Sequence, residues 1–217
     1  MPLYVSDALI LRTYRLGESD CIVVFLTRDR GKKRGVAKNA RQSRRRFGGA
    51  LEPMTCGRVA YVEREHRDLV RLQYVEPNRS PLSAVDAAAL GYVGYFAELI
   101  DECAPESDPN EPLYRLGASI VEAVARGVPT EPLARYFEFW LLRLQGVYEP
   151  APGTSDEARA FLTAARACSP FGLGDLRVSS RTLRELEVAH RTQISAHLEK
   201  ALKSVRVLKE MRGKQLP

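Results

Sequence analysis

The chain has 217 residues, of which 45% are apolar and 28% charged, and its formal net charge is +6. This length suits two small domains, and the apolar fraction is sufficient to fill their cores. No segment approaches the roughly eighteen apolar residues of a membrane span, and the N-terminus lacks the features of a signal peptide. We therefore expect a cytoplasmic protein that does not contact a membrane.

The first eighty residues are predicted to form five short strands, because β-branched and aromatic residues alternate there between turn signals. Closing five strands into a barrel removes exposed edges, and the five-stranded OB-fold is the natural candidate. An OB barrel commonly presents a groove to single-stranded nucleic acid. The predicted strands are residues 6–14, 21–27, 32–37, a segment within 51–64, and 69–75.

A run of basic residues interrupts this strand-rich region. Residues 28–46 contain ten cations and a single acid, Asp29. Such like charge repels itself, and a polyanion such as nucleic acid relieves it while releasing condensed counterions. A solvated loop is the alternative interpretation, which the position of the run inside the strands disfavours. The candidate phosphate contacts are Arg12, Arg15, Lys32, Lys33, Arg34, Lys38, Arg41, Arg44, Arg45 and Arg46.

Two aromatic residues near these cations are candidates for stacking on bases, a contact worth roughly 1–3 kcal/mol per base. They are Tyr14 and Phe47, and packing in the barrel core is the alternative for each. The next candidate for chemistry is the hairpin with Glu63, Glu65, His66 and Asp68, whose side chains suit a metal nuclease. An alternating charged hairpin is more commonly just solvated, and that interpretation is preferred.

After residue 80 the apolar period changes from two to about 3.6, which indicates helices. The fold class is therefore α+β, with an OB-fold domain at 1–80 and an all-α domain at 81–217. Helices are predicted over 82–103, 112–126, a segment after Thr130 to 144, 156–167, 180–190 and 192–212. Their predicted caps are Asn110, Thr130, and Ser179 or Ser180.

Charge is distributed unevenly along the chain. The formal charge is +8 over residues 1–80, −7 over 81–170 and +5 over 171–217. Only the basic ends look suited to phosphate, so the regions are expected to have different partners. No nucleotide-binding or hydrolase motif occurs, which predicts a binding protein and not an enzyme. The cysteines lie far apart, so no zinc site or other cofactor is expected; they are Cys21, Cys56, Cys103 and Cys168.

Several ordered strings resemble RecO, the recombination mediator family of bacterial DNA repair. They are Asp-Ala-Leu-Ile-Leu-Arg-Thr-Tyr-Arg-Leu-Gly-Glu-Ser-Asp at 7–20, residues 25–28, Gly-Lys-Lys-Arg-Gly-Val-Ala-Lys at 31–38, and Arg-Phe-Gly-Gly-Ala-Leu-Glu-Pro at 46–53. Residues 133–146 resemble the middle helix of the family. The resemblance covers most of the chain to about residue 150.

This resemblance implies an N-terminal OB-fold and a helical C-terminal domain. It implies binding of single- and double-stranded DNA, annealing of complementary strands, and loading of RecA with RecR onto DNA coated by single-strand binding protein (SSB). The helical domain is expected to bind the acidic C-terminal tail of SSB. There Arg135 matches a contact position beside an apolar pocket, and we expect it to lie outside the apolar stripe of its helix.

One departure from the family concerns a four-cysteine zinc module that many members carry just after this helix. Residues 147–171 contain only Cys168, so we expect this chain to lack the module. Two alternative functions remain open from the residues alone. The first alternative is an OB-fold RNA-binding protein, because phosphate contacts do not distinguish RNA from DNA. The other is an interaction scaffold whose helical domain binds an acidic or amphipathic partner tail, with DNA binding incidental.

Overall fold

The structure is a computed structural model that describes residues 2–64, 67–81 and 87–213, without the side chains of Arg44, Ala87, Ala88 and Arg212. Predictions for Glu65, His66, the start of the first long helix at 82–86 and the C-terminal residues 214–217 lie outside the described residues. Within the described ranges, no helix is both long enough and apolar enough to cross a membrane.

Five strands close into a barrel in the order β1-β2-β3-β5-β4, as the OB-fold prediction requires. All neighbouring pairs are antiparallel except β3 with β5, which pair in parallel over three positions. A single turn of helix, α1, connects β3 to β4 and places Phe47 in the barrel core. The elements are β1 Leu3–Leu16, β2 Asp20–Thr27, β3 Gly31–Ala37, α1 Arg44–Phe47, β4 Cys56–Val62 and β5 Val70–Arg79.

Strand β1 is buried on both faces over four consecutive residues. Ala8 and Ile10 point into the barrel, whereas Leu9 and Leu11 lie on its outer surface and join the core of the helical region. Strand β2 is likewise divided between the two cores. Its Leu26, which pairs with Leu9, joins the core of the helical region. The barrel and the helices therefore share one continuous apolar layer along β1 and β2.

The helical region contains α2 Ala87–Cys103, α3 Glu111–Ala125, α4 Thr130–Leu144, α5 Asp156–Ala167, a 3₁₀ helix Pro170–Asp175, α6 Ser180–Leu198 and α7 Lys203–Gly213. Asn110 and Ser179 cap α3 and α6 as predicted, each accepting a hydrogen bond from a first-turn amide. The predicted cap Thr130 is wrong: Pro129 precedes α4 and no side chain caps it.

The predicted break between the last two helices is also misplaced. Helix α6 continues through His190, because no glycine or proline interrupts it there, and ends at Leu198. The following Glu199 adopts φ +51°, the left-handed conformation that terminates many helices. Helix α7 then folds back onto α2, where Gly91 admits the side chains of Leu208 and Met211.

Candidate nucleic-acid interface

Arg12, a predicted phosphate contact, forms ion pairs with acids of the helical region. Its Nε lies 2.7 Å from Asp101 Oδ2, and its Nη2 lies 3.1 Å from Glu102 Oε1 and 3.8 Å from Glu98 Oε1. Burial opposes the charged form, but a hydrogen bond with Tyr14 and these carboxylates leave the pKa of Arg12 raised. The prediction that Arg12 lies along a DNA path is therefore not supported by its contacts.

The two lysines that begin β3 are also engaged within the protein. Lys32 Nζ donates to the Asp101 carbonyl at 2.6 Å, and Lys33 Nζ lies 2.6 Å from Glu63 Oε1. Both side chains are only 13% exposed. The contacts of Arg12 and Lys32 show that the acidic middle of the chain neutralises part of the basic front, whereas Lys33 is paired within the front itself.

Other predicted cations lie on the surface without such partners. Arg15, Arg34, Lys38 and Arg45 are exposed, and none forms an ion pair with another described residue. Because their charges are uncompensated and hydrated, phosphate oxygens can replace water around them at low cost. These four are among the predicted contacts that the fold leaves available.

The loop at residues 38–46 is held in shape by its own arginines. Arg46 donates from Nη2 to the Lys38 carbonyl at 2.8 Å and from Nε to the Ser43 hydroxyl at 3.0 Å. Arg41 donates from Nη1 to the Glu18 carbonyl at 2.7 Å, which ties the loop to the β1–β2 turn. The loop, which we call the basic loop, thus crosses one end of the barrel in a defined conformation.

On the β5 side of the basic loop lies a groove, which we call the β3–β5 groove. It consists of two adjoining cavities of about 570 and 330 Å³ that share Arg64, Arg67, Asp68 and Val70. Five of its cations are exposed and form no ion pair with another described residue: Arg34, Lys38, Arg64, Arg67 and Arg71. These cations outnumber the three acids that also line the groove, Glu63, Asp68 and Glu106, so its lining is basic.

Arg64, Arg67 and Arg71 were not predicted from the sequence, because nearby acids make the hairpin look electrically balanced. The signal that identifies them is topological. In an OB barrel, β5 pairs with β3, so the β4–β5 connection lies beside the end of β3. Here Val36 pairs with Arg71. Val36 itself is half-buried and lines the groove, while Gly35 and Ala37 face inward.

On the other side of the basic loop lies a cavity of about 870 Å³, which we call the β1–β2 cleft. Arg15 and Arg41 face it, opposed by the single acid Glu52. Of the two interpretations left open for Phe47, core packing is the one observed, because Phe47 is only 2% exposed and packs in the barrel core. Tyr14 is 44% exposed and is the aromatic side chain that remains available.

Arg135, the predicted contact for an SSB tail, is buried. Only 3% of the residue is exposed, and its Nη2 donates to Glu138 Oε1 at 2.8 Å. The same carboxylate accepts from Tyr95 Oη at 2.7 Å and lies 3.1 Å from His190 Nδ1. The expectation that Arg135 lies outside the apolar stripe is therefore wrong, because a buried acid on the next turn compensates its charge.

A small cleft on the surface of the helical region combines cations with aromatic rings. It measures about 330 Å³ and lies between the end of α4 and the start of α5. Tyr148 forms its aromatic wall and packs against the buried Phe139, with their ring centroids 4.9 Å apart. Three exposed arginines surround it, Arg143, Arg159 and Arg166. We call this the aromatic cleft.

Sequence comparison identifies the family. Residues 1–81 match the family model described as Recombination protein O N terminal, and residues 84–151 match the one described as Recombination protein O C terminal. The chain belongs to the RecO family. The RecO resemblance predicted from residues 7–53 is thereby confirmed, as is the α+β fold with an N-terminal OB barrel.

Relatives named DNA repair protein RecO are similar over much of the chain. The protein of Geobacter metallireducens is 30% identical over 237 residues, covering 95% of this chain and 97% of the relative. Those of Koribacter versatilis and Anaeromyxobacter sp. (strain K) are 44% and 38% identical, over 65% and 78% of this chain. These two matches span only 58% and 63% of the relatives' own length.

No cluster of three or more metal-binding side chains occurs among the described residues of this RecO-family chain. Cys21 and Cys56 are buried in the barrel, and Cys103 and Cys168 are half-buried in the helical region. Burial raises the pKa of Cys56 and Cys103 to about 12, so both thiols stay protonated at neutral pH. This is the behaviour of packing residues.

Proposed function

We propose that this protein acts in DNA repair as a recombination mediator without enzymatic activity, which binds single- and double-stranded DNA and anneals complementary strands. The observation that carries the proposal is the set of exposed, unpaired cations along the basic loop and the β3–β5 groove. The membership of this chain in the RecO family supports the same role. The mechanism is electrostatic: neutralising phosphates on two strands lowers their mutual repulsion, and no bond is made or broken.

The proposal includes three protein partners. With RecR, the protein helps RecA assemble on DNA coated by SSB, and it reaches that DNA by binding the acidic SSB tail. Arg135 is inaccessible to such a tail. The aromatic cleft offers what an acidic peptide with apolar residues requires, because exposed arginines surround an aromatic wall. We therefore place tail binding at this cleft.

The test of DNA function is annealing of complementary strands that are coated with SSB. The variant R34A/K38A/R45A removes three exposed cations whose side chains support no other described part of the fold. We expect it to lose most annealing activity relative to the wild type. The matched control R177A/R181A/R184A removes three exposed arginines from the helical region and should anneal normally.

Binding of single strands should weaken with salt in the same experiment. If about five phosphates are contacted, the slope of log affinity against log salt concentration is roughly −3.5. A slope near zero would exclude the electrostatic mechanism. A strong preference for ribose over deoxyribose oligonucleotides would instead favour an RNA-binding protein.

Tail binding has a separate test. The variant R143A/R166A should weaken binding of a peptide with the SSB tail sequence at least tenfold, while binding of bare single strands stays unchanged. R177A/R181A is the control with equal charge change. Unaltered peptide binding by R143A/R166A would contradict the placement at the aromatic cleft.

A further inference from the structure

The two concave surfaces beside the basic loop differ in position and composition. The β1–β2 cleft and the β3–β5 groove have no lining residue in common. The basic loop separates them, since Ala40 and Arg41 face the cleft whereas Lys38 faces the groove. Each surface has its own exposed cations, so each can neutralise phosphates independently.

The dividing loop is fixed on both sides. On the cleft side, the Arg41 amide donates to the Ser19 carbonyl at 3.2 Å, in addition to the side-chain bond to Glu18. On the groove side, the Arg46 guanidinium holds the Lys38 carbonyl. A loop anchored in this way keeps the two surfaces apart, because merging them would break hydrogen bonds at both ends.

The composition of the groove favours nucleic acid as its occupant. Its exposed arginines alternate with the apolar floor of Val36, Leu69 and Val70, and Leu69 is 36% exposed. Phosphates can contact the rim while bases contact the floor. Beside this floor the Arg67 amide donates to the Arg64 carbonyl at 3.3 Å. This hydrogen bond holds the two arginines close together on the same rim.

We infer that the barrel binds two DNA strands at once, one in the β1–β2 cleft and one in the β3–β5 groove, and that Arg64, Arg67 and Arg71 hold the second strand. This inference rests on the proposed DNA function. It assigns annealing to a single chain, in which the basic loop lies between the two strands and its cations face both. Two strands held side by side have a high effective concentration, which accelerates their pairing.

The test counts strands on one chain by native mass spectrometry. The probes are non-complementary oligonucleotides of about eight nucleotides, within the range that one OB-fold accommodates. We expect the wild type to form a complex of one chain with two oligonucleotides. The variants R64A/R67A/R71A and R15A/R41A should each bind one, and R177A/R181A/R184A should still bind two.

The outcomes separate this inference from the proposed function. If the wild type binds no DNA, the proposed function fails. If it binds DNA but only one oligonucleotide, or if R64A/R67A/R71A still binds two, the two-strand inference is wrong and DNA binding stands. If R64A/R67A/R71A loses binding of an oligo-glutamate peptide while still binding two oligonucleotides, the groove is a site for acidic peptides. A retained circular dichroism spectrum establishes that each variant is folded.

Annealing rates provide the second readout. R64A/R67A/R71A should anneal complementary strands at least tenfold more slowly than the wild type, even at concentrations where it is saturated with one strand. Normal annealing by this saturated variant would overturn the inference.

Discussion

Cations that look equivalent in the sequence have different roles according to their neighbours. Arg12 and Arg34 both lie on strands of the barrel, yet Arg12 contacts three carboxylates of α2 and Arg34 contacts none among the described residues. Removing Arg12 takes one counter-charge from three partly buried acids, which is costly although Asp101 keeps Lys32 and Glu102 keeps Lys200. Removing Arg34 leaves only hydrated surface.

We therefore predict opposite effects for two single substitutions. Arg12→Ala should lower the free energy of unfolding by about 1–3 kcal/mol, since hydrogen bonds to charged groups are lost, and should leave the salt slope of DNA binding unchanged. Arg34→Ala should leave stability within about 0.5 kcal/mol and reduce the slope by about 0.7. Urea unfolding and fluorescence anisotropy measure the two quantities. The reverse pattern would show that Arg12 contacts DNA.

At the scale of elements, two glycines show how closely the helices approach their neighbours. A Cβ at Gly117 in α3 would lie 2.7 Å from Leu9 Cδ2 and 2.9 Å from Ile100 Cδ1. Both neighbours are fully buried and have no room to move. A Cβ at Gly94 in α2 would have no heavy atom within 4 Å. The same substitution therefore has opposite consequences at the two positions.

Gly117→Ala should destabilise the protein by about 1–3 kcal/mol, because overpacking outweighs the gain in helix propensity. Gly94→Ala should stabilise it by about 0.5–1 kcal/mol through helix propensity alone. Thermal unfolding of the two variants provides the comparison. Equal shifts in the same direction would mean that α3 can move away from β1.

Helix α7 is attached through a carboxylate of α2. Glu98 accepts hydrogen bonds from the amides of Lys203 and Ser204, at 3.0 and 2.7 Å. Burial by itself raises the pKa of Glu98, but these hydrogen bonds and Arg12 outweigh it, and the pKa falls below the ordinary 4.5. The attachment therefore contributes stability above pH 4.5 that is lost as the pH falls through the lowered pKa.

This pH dependence can be followed at two atoms. The amide proton shifts of Lys203 and Ser204 should change in acid with a midpoint below 4.5, as the carboxylate is protonated. In Glu98→Gln the same signals should show no such titration. A midpoint above 4.5 in the wild type would contradict the pH dependence derived for Glu98.

At the scale of the whole molecule, the barrel depends on the helices to bury the apolar residues on its outer surface. Leu9, Leu11, Val24 and Leu26 lie on the outside of the barrel and are buried only because helices cover them. We predict that a fragment of residues 1–80 aggregates when expressed alone, since it exposes this apolar face. Analytical ultracentrifugation of the fragment measures whether it is monomeric or aggregated. A monomeric, cooperatively unfolding fragment would show that the barrel is independent.

The sequence predicts this architecture well, because alternating and helical apolar periods are local signals. It also indicates a nucleic-acid surface through the density of charge at residues 28–46. It does not show which cations are neutralised, since the partners of Arg12 and Lys32 lie far along the chain in α2. The burial of Arg135 is missed although its partner Glu138 is only three residues away, because the sequence does not show that the folded core covers both side chains and brings His190 to Glu138.

Strand β1 has a further consequence for how this chain can change over time. Its residues 8–11 serve two cores by strict alternation. Inserting or deleting one residue there would exchange the inward and outward sets, so that both cores lose their side chains together. We therefore expect length variation among descendants of this gene to occur in the turns, while the number of residues in this short stretch stays fixed.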